Sequence, residues 1–279
     1  SAQQYFHTFC GVLRVLMLFV AAVVVIAILL GKNPMTLFAG LGATSAVLML
    51  VFKDTITGLA AGVRLTSNDM LHKGDWITVK SVDANGIVED MSLTTVKVRN
   101  FDNTIVTISP TTLVNGSFQN WIGMQKSGGR RVKRVVYFDF RSVRLVDETL
   151  KRNLLAKHFA TEDSFKLKES LQKAIDKDIQ EGKDIEDLKN PAALAPTNLQ
   201  LYRKFMEKYL RQRPEVNTDL TLMVRHMEAT QCGLPIEFYF FIKDKVWVNY
   251  EHILADIMEH AYALANEFGL KIYEQYPEQ

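Results

Sequence analysis

The chain has 279 residues, a net charge of +2 and 48% hydrophobic residues, and it contains two cysteines. The near-neutral charge shows none of the basicity of a nucleic-acid-binding domain. A disulfide between Cys10 and Cys232 is not expected from their wide separation, which fits a reducing compartment for the soluble part.

The first predicted element is a membrane-spanning helix. Val15 to Leu30 contains no polar side chain, and a run of this kind predicts a membrane span. The chain begins without Met, and this span lacks the small-residue cleavage site of a signal peptide. We therefore expect an internal fragment of a longer protein, with further spans before Ser1.

A second apolar stretch, Met35 to Phe52, follows after a short turn and is rich in small residues. Ala39 with Ala43, and Gly42 with Ala46, form small pairs one helical turn apart, and such pairs let helix backbones approach closely in lipid. They indicate either one contact with a neighbouring span of the same chain or a ring of identical helices.

The distribution of Lys and Arg predicts the orientation of both spans. Arg14 precedes the first span, Lys53 and Arg64 follow the second, and Lys32 alone occupies the turn. Because Lys and Arg concentrate on the cytoplasmic side, the turn should face outward and the C-terminal part should lie in the cytoplasm.

A charged pair, Lys53-Asp54, interrupts the apolar run and predicts the exit of the second span into water. Thr55 to Asn68 is amphipathic, which is typical of a helix lying along a membrane surface after a sharp bend. We expect that bend at Lys53, Asp54, Gly58 and Gly62. Asp54 is expected either to pair with Lys53 of a neighbouring subunit or to be part of an exposed charge pair that contributes little.

Short strands dominate the middle region, residues 69–125. Residues 75–79, 87–90, 93–99 and 104–108 predict strands. Asp83-Ala84-Asn85-Gly86 predicts a turn, with an Asn-Gly pair suited to a tight hairpin. Asp102-Asn103 predicts a second turn, and Pro110 should end the run. Such a pattern favours a small barrel or sandwich.

The C-terminal region, residues 126–279, has the predicted order β-α-β-β-α-β of a split ferredoxin-like motif. Residues 161–197 do not fit that order and predict an insertion on the domain surface. We expect a solvated helical hairpin, one helix of which would have an apolar stripe. Four residues define that stripe: Leu167, Leu171, Ile175 and Ile179.

No catalytic motif occurs in the sequence, so we expect neither an enzyme nor a cofactor. His252, Asp256 and His260 share one helix face, but solvated histidines are the more common case and we expect no metal. One basic cluster could contact lipid headgroups or anions, or could be a solvated strand edge. The cluster comprises Lys126, Arg130, Arg131, Lys133 and Arg134.

Five segments, in this order and spacing, resemble the small-conductance mechanosensitive channel family: Gly58–Val63, Lys73–Ile77, Gly86–Asp90, Thr94–Arg99 and Ile108–Pro110. The resemblance implies a membrane α-helical region at 1–68, a soluble Sm-like β-barrel at 69–125 and an α+β ferredoxin-like vestibule domain at 126–279. The insertion resembles that of the bacterial miniconductance branch, which responds to osmotic stress. The implied protein is a homoheptameric, tension-opened ion channel of the bacterial inner membrane, whose partners are its own copies, membrane lipids and permeating ions, without nucleic acid.

The resemblance also implies the site residues. Leu50 and Ala46 fall on the two pore constrictions, Ala43 and Val47 line the pore, and Gly42, Ala39 and Ser45 pack neighbouring helices. This sequence departs from the family pattern at Ser45 and Met49, which are usually small, at Lys53-Asp54, where Gln-Gly is usual, and at Thr111, where Asn is usual. The competing interpretations are a membrane-anchored module whose Sm-like domain recognises RNA or another partner, and a scaffold that senses nothing.

Overall fold

The computed structural model describes residues 2–166, 173, 176–177, 180–181 and 195–274. It divides the chain into two compact units, one ending at Trp121 and the other beginning at Ile122. Each unit has a hydrophobic core of its own, so we describe the two units separately.

Two long helices open the first unit: α1, Ala2–Leu29, and α2, Pro34–Ser67. Gly31 makes the turn with a φ of +62°, a conformation that suits glycine. The Asn33 side chain caps α2 by accepting a hydrogen bond from the Met35 amide, and Pro34 occupies the first turn, where its missing N–H costs nothing. Cys10–Leu29 and Pro34–Ser67 are long and apolar enough to cross a membrane.

The second helix does not end at the charged pair. α2 continues without interruption through Lys53 and Asp54, so the apolar span and the predicted amphipathic helix from Thr55 are parts of one helix. No proline interrupts this part of α2, and the Thr57 hydroxyl donates a hydrogen bond to the Lys53 carbonyl within the helix. Charged residues alone do not terminate an α-helix, because they leave its backbone hydrogen bonds intact.

A five-stranded antiparallel sheet follows α2, in the order β4-β3-β2-β1-β5. Its strands are β1 Trp76–Val79, β2 Ala84–Met91, β3 Val96–Asn100, β4 Ile105–Ile108 and β5 Gln119–Asn120. The core of this unit combines inward-facing strand residues such as Val88 and Val98 with Leu113 and with Leu65 from the end of α2. The last turns of α2 are therefore part of the β-sheet domain.

The turn predicted over residues 83–86 occurs at its first residue, and Asn85-Gly86 does not form it. Both residues lie inside β2, and the chain reverses one step earlier, where Asp83 adopts a left-handed φ of +52°. Gly86 is required for a different reason: a Cβ there would lie within contact distance of the Arg99 carbonyl oxygen on β3. The turn predicted at Asp102-Asn103 is confirmed by the φ of +68° at Asn103.

Pro110 directly follows β4, as predicted, but β5 comes later in the chain, and Pro110 also starts a helix that was not predicted. α3, Pro110–Asn115, begins with Pro110 in its first turn and Ser109 as its cap, whose hydroxyl accepts from the Thr112 amide. Buried Leu113 places this short helix against the sheet core.

The second unit combines a three-stranded antiparallel sheet, in the order β6-β8-β7, with helices. Its strands are β6 Arg130–Phe138, β7 Met223–His226 and β8 Leu234–Ile242, and its helices are α4 Ile122–Lys126, α5 Glu148–Ala156, α6 Asn198–Gln212 and α7 Trp247–Glu267. Alternate β8 residues, Ile236 to Ile242, belong to the core together with Tyr202 of α6 and Ile257 of α7. The predicted last strand is reduced to one antiparallel bridge between Phe138 and Ile272.

The predicted apolar stripe of the insertion, Leu167, Leu171, Ile175 and Ile179, lies outside the described residues. The segments on either side of it are anchored. Thr161 and Ser164 form a capping box on a single 3-10 turn, Glu162–Phe165, and Thr197 caps α6 by accepting from the Gln200 amide.

Candidate pore-lining helix

The middle of α2 contacts nothing else in its own unit. From Ala39 to Leu59, all residues but the half-buried Gly58 are exposed, and Leu50, Met49 and Val47 are 76%, 71% and 62% exposed. Exposed apolar surface on this scale marks an interaction with a membrane or with other protein.

Four of the predicted site residues share one helix face. With about 100° per residue, Ala39, Ala43, Ala46 and Leu50 fall within an arc of about 60°. All four are exposed. Small side chains on one face and a single large one at its end make a surface that is smooth along most of its length and obstructed at Leu50.

α1 covers a different side of α2. The two helices contact each other, Val23 and Ala27 of α1 are buried, and Leu37 and Phe38 of α2 are half-buried. Leu37 and Phe38 point about 120–140° away from Leu50 around the helix. The hairpin therefore leaves the Ala39-to-Leu50 face free.

The remaining predicted pore and packing residues lie at the margins of this face or outside it. Val47 lies about 60° to one side of Leu50 and Gly42 about 80° to the other side. Ser45 points about 140° away from Leu50, on the side that α1 occupies nearer the turn. The geometry separates Ser45 from the other predicted residues.

Polar residues continue the same face beyond Leu50. Lys53, Asp54 and Thr57 lie within about 60° of the Leu50 direction. The Thr57 hydroxyl is satisfied by the Lys53 carbonyl. Neither charged side chain has a partner among the residues that the structure describes.

The two glycines predicted at the bend differ in their surroundings. A Cβ at Gly62 would fall within contact distance of the Leu93 carbonyl oxygen in the β2–β3 turn, whereas a Cβ at Gly58 would meet nothing within 4 Å. Ala61 and Leu65 are buried beside Gly62. Gly62 is thus the point where α2 packs directly on the backbone of the β-sheet domain.

A polar junction, which the sequence analysis missed, ties the end of α2 to the sheet. Asp69 adopts a left-handed φ of +52° just past the helix. The Asp75 carboxylate, only 6% exposed, accepts hydrogen bonds from the His72 amide at 3.0 Å and from the Asn120 side chain at 2.8 Å. The only sequence signal for it was an Asp directly before a strand, which is a common surface pattern.

The basic cluster is divided among separate contacts. Lys133 lies 3.7 Å from the buried Glu237 carboxylate, which Arg225 also contacts, and Arg130 stacks over the Tyr250 ring at 4.2 Å. These cations serve the second unit's own structure, so the cluster does not form one continuous free patch.

His260, on the helix face shared with His252 and Asp256, makes contacts within the second unit. The His260 ring stacks on Tyr209 and its Nδ1 lies 2.7 Å from the Asp256 carbonyl oxygen. Within the described ranges, no group of three His, Cys, Asp or Glu side chains is placed to hold a metal ion.

Comparison with known proteins places these features in a family context. Residues 54–123 match the family model described as "Mechanosensitive ion channel, beta-domain". The small-conductance mechanosensitive channel MscMJ of Methanocaldococcus jannaschii is 33% identical over 90 residues, which is 32% of this chain and 25% of that protein. The large-conductance channel MscMJLR of the same organism is 29% identical over 149 residues, 53% of this chain and 40% of that protein. The chain thus spans less than half the length of these relatives.

Two solved structures share the fold. The cryo-EM structure of Arabidopsis thaliana MSL1 has a TM-score of 0.60 at 11% identity, with 94% of this chain and 74% of that chain covered. The closed-state crystal structure of Helicobacter pylori MscS has a TM-score of 0.55 at 14% identity, with 96% and 81% covered. The predicted combination of N-terminal helices with β and α+β domains is confirmed at this level.

Proposed function

We propose that the chain is a member of the small-conductance mechanosensitive channel family and that it assembles with its own copies into an ion channel that opens under membrane tension. The match to the family model and the curated relatives support the resemblance predicted from the sequence. The activity rests on the family and on the geometry of α2.

The observation that carries the proposal is the free face of α2. This face has small side chains at Ala39, Ala43 and Ala46, a large apolar one at Leu50, and no cover from α1. Because the middle of α2 is exposed within its own chain, lipid or other protein must cover it. Copies arranged with this face inward would enclose a conduit.

The length of α2 supports the same arrangement. Its 34 residues extend about 51 Å at 1.5 Å per residue, whereas the hydrocarbon core is about 30 Å thick. A span that begins at Pro34 therefore leaves the bilayer near Lys53. The remaining turns carry Gly62 and Leu65 into contact with the β-sheet domain, so movement of the membrane helix is coupled to that domain.

We propose Leu50 as the gate. A ring of Leu50 side chains would be apolar and narrow, and such a constriction blocks ions by losing its water. Tension favours the state with the larger in-plane area, and outward tilting of α2 both gains area and hydrates the ring. The bias between the two states comes from that difference.

The finer assignments are proposals of the same kind. We propose seven copies, a cytoplasmic location for residues 69–279 and release of ions and small solutes under hypoosmotic stress in a bacterial inner membrane, as in the miniconductance branch. The order β6-β8-β7, with Ile272 bridging Phe138, supports a ferredoxin-like second unit, and the five-stranded sheet supports an Sm-like first one. A bend of α2 at Lys53, Asp54, Gly58 and Gly62 stays a prediction.

Reconstitution tests the proposal. The purified protein is placed in liposomes, suction is applied to excised patches, and current is recorded. We expect single-channel steps whose open probability rises with tension, and particles that contain several copies. Absence of current in patches with verified protein would contradict the proposal, and salt-sensitive RNA binding without current would favour the binding module instead.

A further inference from the structure

Lys53 and Asp54 are charged, exposed and unpaired in the described part of the chain, although both follow directly on an apolar span. Adjacent residues of a helix do not face each other, so the two side chains cannot neutralise one another within one copy. Charged side chains at the end of a membrane span extend to the interface, where both are available to pair with another copy.

The helix geometry specifies where those partners lie. Relative to Leu50, Lys53 points about 60° to one side and Asp54 about 40° to the other. Both lie at nearly the same level, about one turn beyond Leu50. If Leu50 faces a central axis, each copy therefore directs a cation toward one neighbour and an anion toward the other.

In a ring of copies, the Lys53 side of one helix faces the Asp54 side of the next. In a cyclic ring every subunit contacts one neighbour with one side and the next neighbour with its opposite side. Lys53 on one side of each helix then meets Asp54 on the facing side of the next. The same pairing would fail in a two-fold dimer of parallel helices, where identical sides meet and like charges oppose each other.

We propose that Lys53 of each copy pairs with Asp54 of the adjacent copy, which forms a closed belt of ion pairs on the cytoplasmic side of the Leu50 ring. This inference rests on the proposed function, because it requires a ring of α2 helices. The belt fixes the spacing of the helices at the pore mouth in the closed state, and widening of the ring separates the pairs.

Carbodiimide cross-linking tests the pairing, because this reagent joins an ammonium and a carboxylate that are already in contact. Two variants, Lys53→Gln and Asp54→Asn, are co-expressed with tags of different mass and purified as mixed assemblies. We expect a cross-linked peptide that joins Lys53 of the Asp54→Asn chain to Asp54 of the Lys53→Gln chain. Assemblies of either variant alone lack one partner and should yield no such peptide.

The outcomes separate this inference from the proposed function. Mixed assemblies of full subunit number that pass tension-gated current but yield no cross-link at this position would overturn the belt and leave the channel intact. Single-copy particles without current would overturn both.

Charge reversal provides a second readout if the neutral variants fail to assemble. Lys53→Asp alone opposes like charges at every interface, so we expect a lowered tension threshold or loss of the assembly. The swapped double variant, Lys53→Asp with Asp54→Lys, restores opposite charges and should restore wild-type gating. Identical behaviour of the single and double variants would contradict the pairing.

Discussion

Two residues of α2, Leu50 and Gly62, are the most important for the proposed gating. Leu50 is the large apolar side chain on the face of small residues, and Gly62 is where α2 touches the β-sheet backbone. Leu50 would determine whether the conduit is hydrated, and Gly62 determines how closely α2 packs on the β-sheet domain. Each can be tested against a matched position on the same helix.

We expect Leu50→Ser to lower the tension threshold or to give a leaky channel, because a hydroxyl ring holds water where an isobutyl ring excludes it. Patch recording of reconstituted protein measures the threshold. Leu48→Ser is the control, since Leu48 is also exposed, at 52%, but points about 160° away from Leu50. Equal thresholds for wild type and Leu50→Ser would remove Leu50 from the gate.

Gly62→Ala should destabilise the packing of α2 on the β-sheet domain by about 1–3 kcal/mol, the usual cost of overpacking a tight contact. The added Cβ would collide with backbone at Leu93, which cannot rotate away as a side chain can. Thermal unfolding in detergent measures the loss. Gly58→Ala is the control, and it should be neutral or stabilising because its Cβ meets no neighbour and alanine favours the helix. A Gly62→Ala variant as stable as wild type would show that the two elements are not in close contact.

Among the elements of the second unit, α5 begins at a charged cap. Asp147 caps α5 by accepting from the Leu150 amide at 2.7 Å, and Arg144 contacts the same carboxylate at 2.7 Å. The Leu150 amide first, and the Arg144 guanidinium after it, lower the pKa of Asp147 below its ordinary value of 3.8. The charged form is therefore favoured by folding.

A pH dependence follows from that direction. Because the folded-state pKa of Asp147 lies below the unfolded value, its stabilising contribution is complete at neutral pH and is lost as the pH falls through the folded pKa. We expect Asp147→Ala to lower the unfolding midpoint at pH 7, and Asp147→Asn to lower it less because the amide oxygen still accepts. The difference between wild type and Asp147→Asn, followed by circular dichroism, should vanish well below pH 3.8. A difference that persists unchanged there would contradict the role of the charge.

The elements also show what sequence reasoning can and cannot predict. The two apolar helices and most strands of the β-sheet domain follow from hydrophobic periodicity, which depends only on local sequence. Asn85-Gly86 does not form the predicted turn. A glycine is needed at position 86 because a Cβ there would collide with the backbone of Arg99 on β3. The sequence shows the glycine, but the strand that packs against it can be known only from the fold.

The same reason explains the partial success at the candidate site. The face formed by Ala39, Ala43, Ala46 and Leu50 could be placed by helix periodicity, and the structure adds that α1 leaves it uncovered. The predicted exit of the span at Lys53-Asp54 is not accompanied by a break in α2, and the predicted bend there stays a prediction. The junction of Asp75 with Asn120 joins residues far apart in the chain, and no local pattern predicts such a contact.

In the proposed assembly, several copies place the Ala39-to-Leu50 face of α2 around a shared conduit. α2 has one uncovered face in its membrane part and packs on the β-sheet domain at its end, so movement of this helix is coupled to that domain. The proposed belt of Lys53 and Asp54 would close the ring at its cytoplasmic mouth.

Thiol accessibility under tension tests this claim most directly. In a background with Cys10 and Cys232 replaced by serine, cysteines are placed at Ala43 or Ala46 on the free face and at Leu41 or Leu48 on the opposite side. A cationic thiol reagent is then applied during tension-activated current. We predict that modification at Ala43 and Ala46 alters the single-channel current, while modification at Leu41 and Leu48 leaves it unchanged. Block from the Leu41 and Leu48 positions, with none from Ala43 and Ala46, would contradict the account.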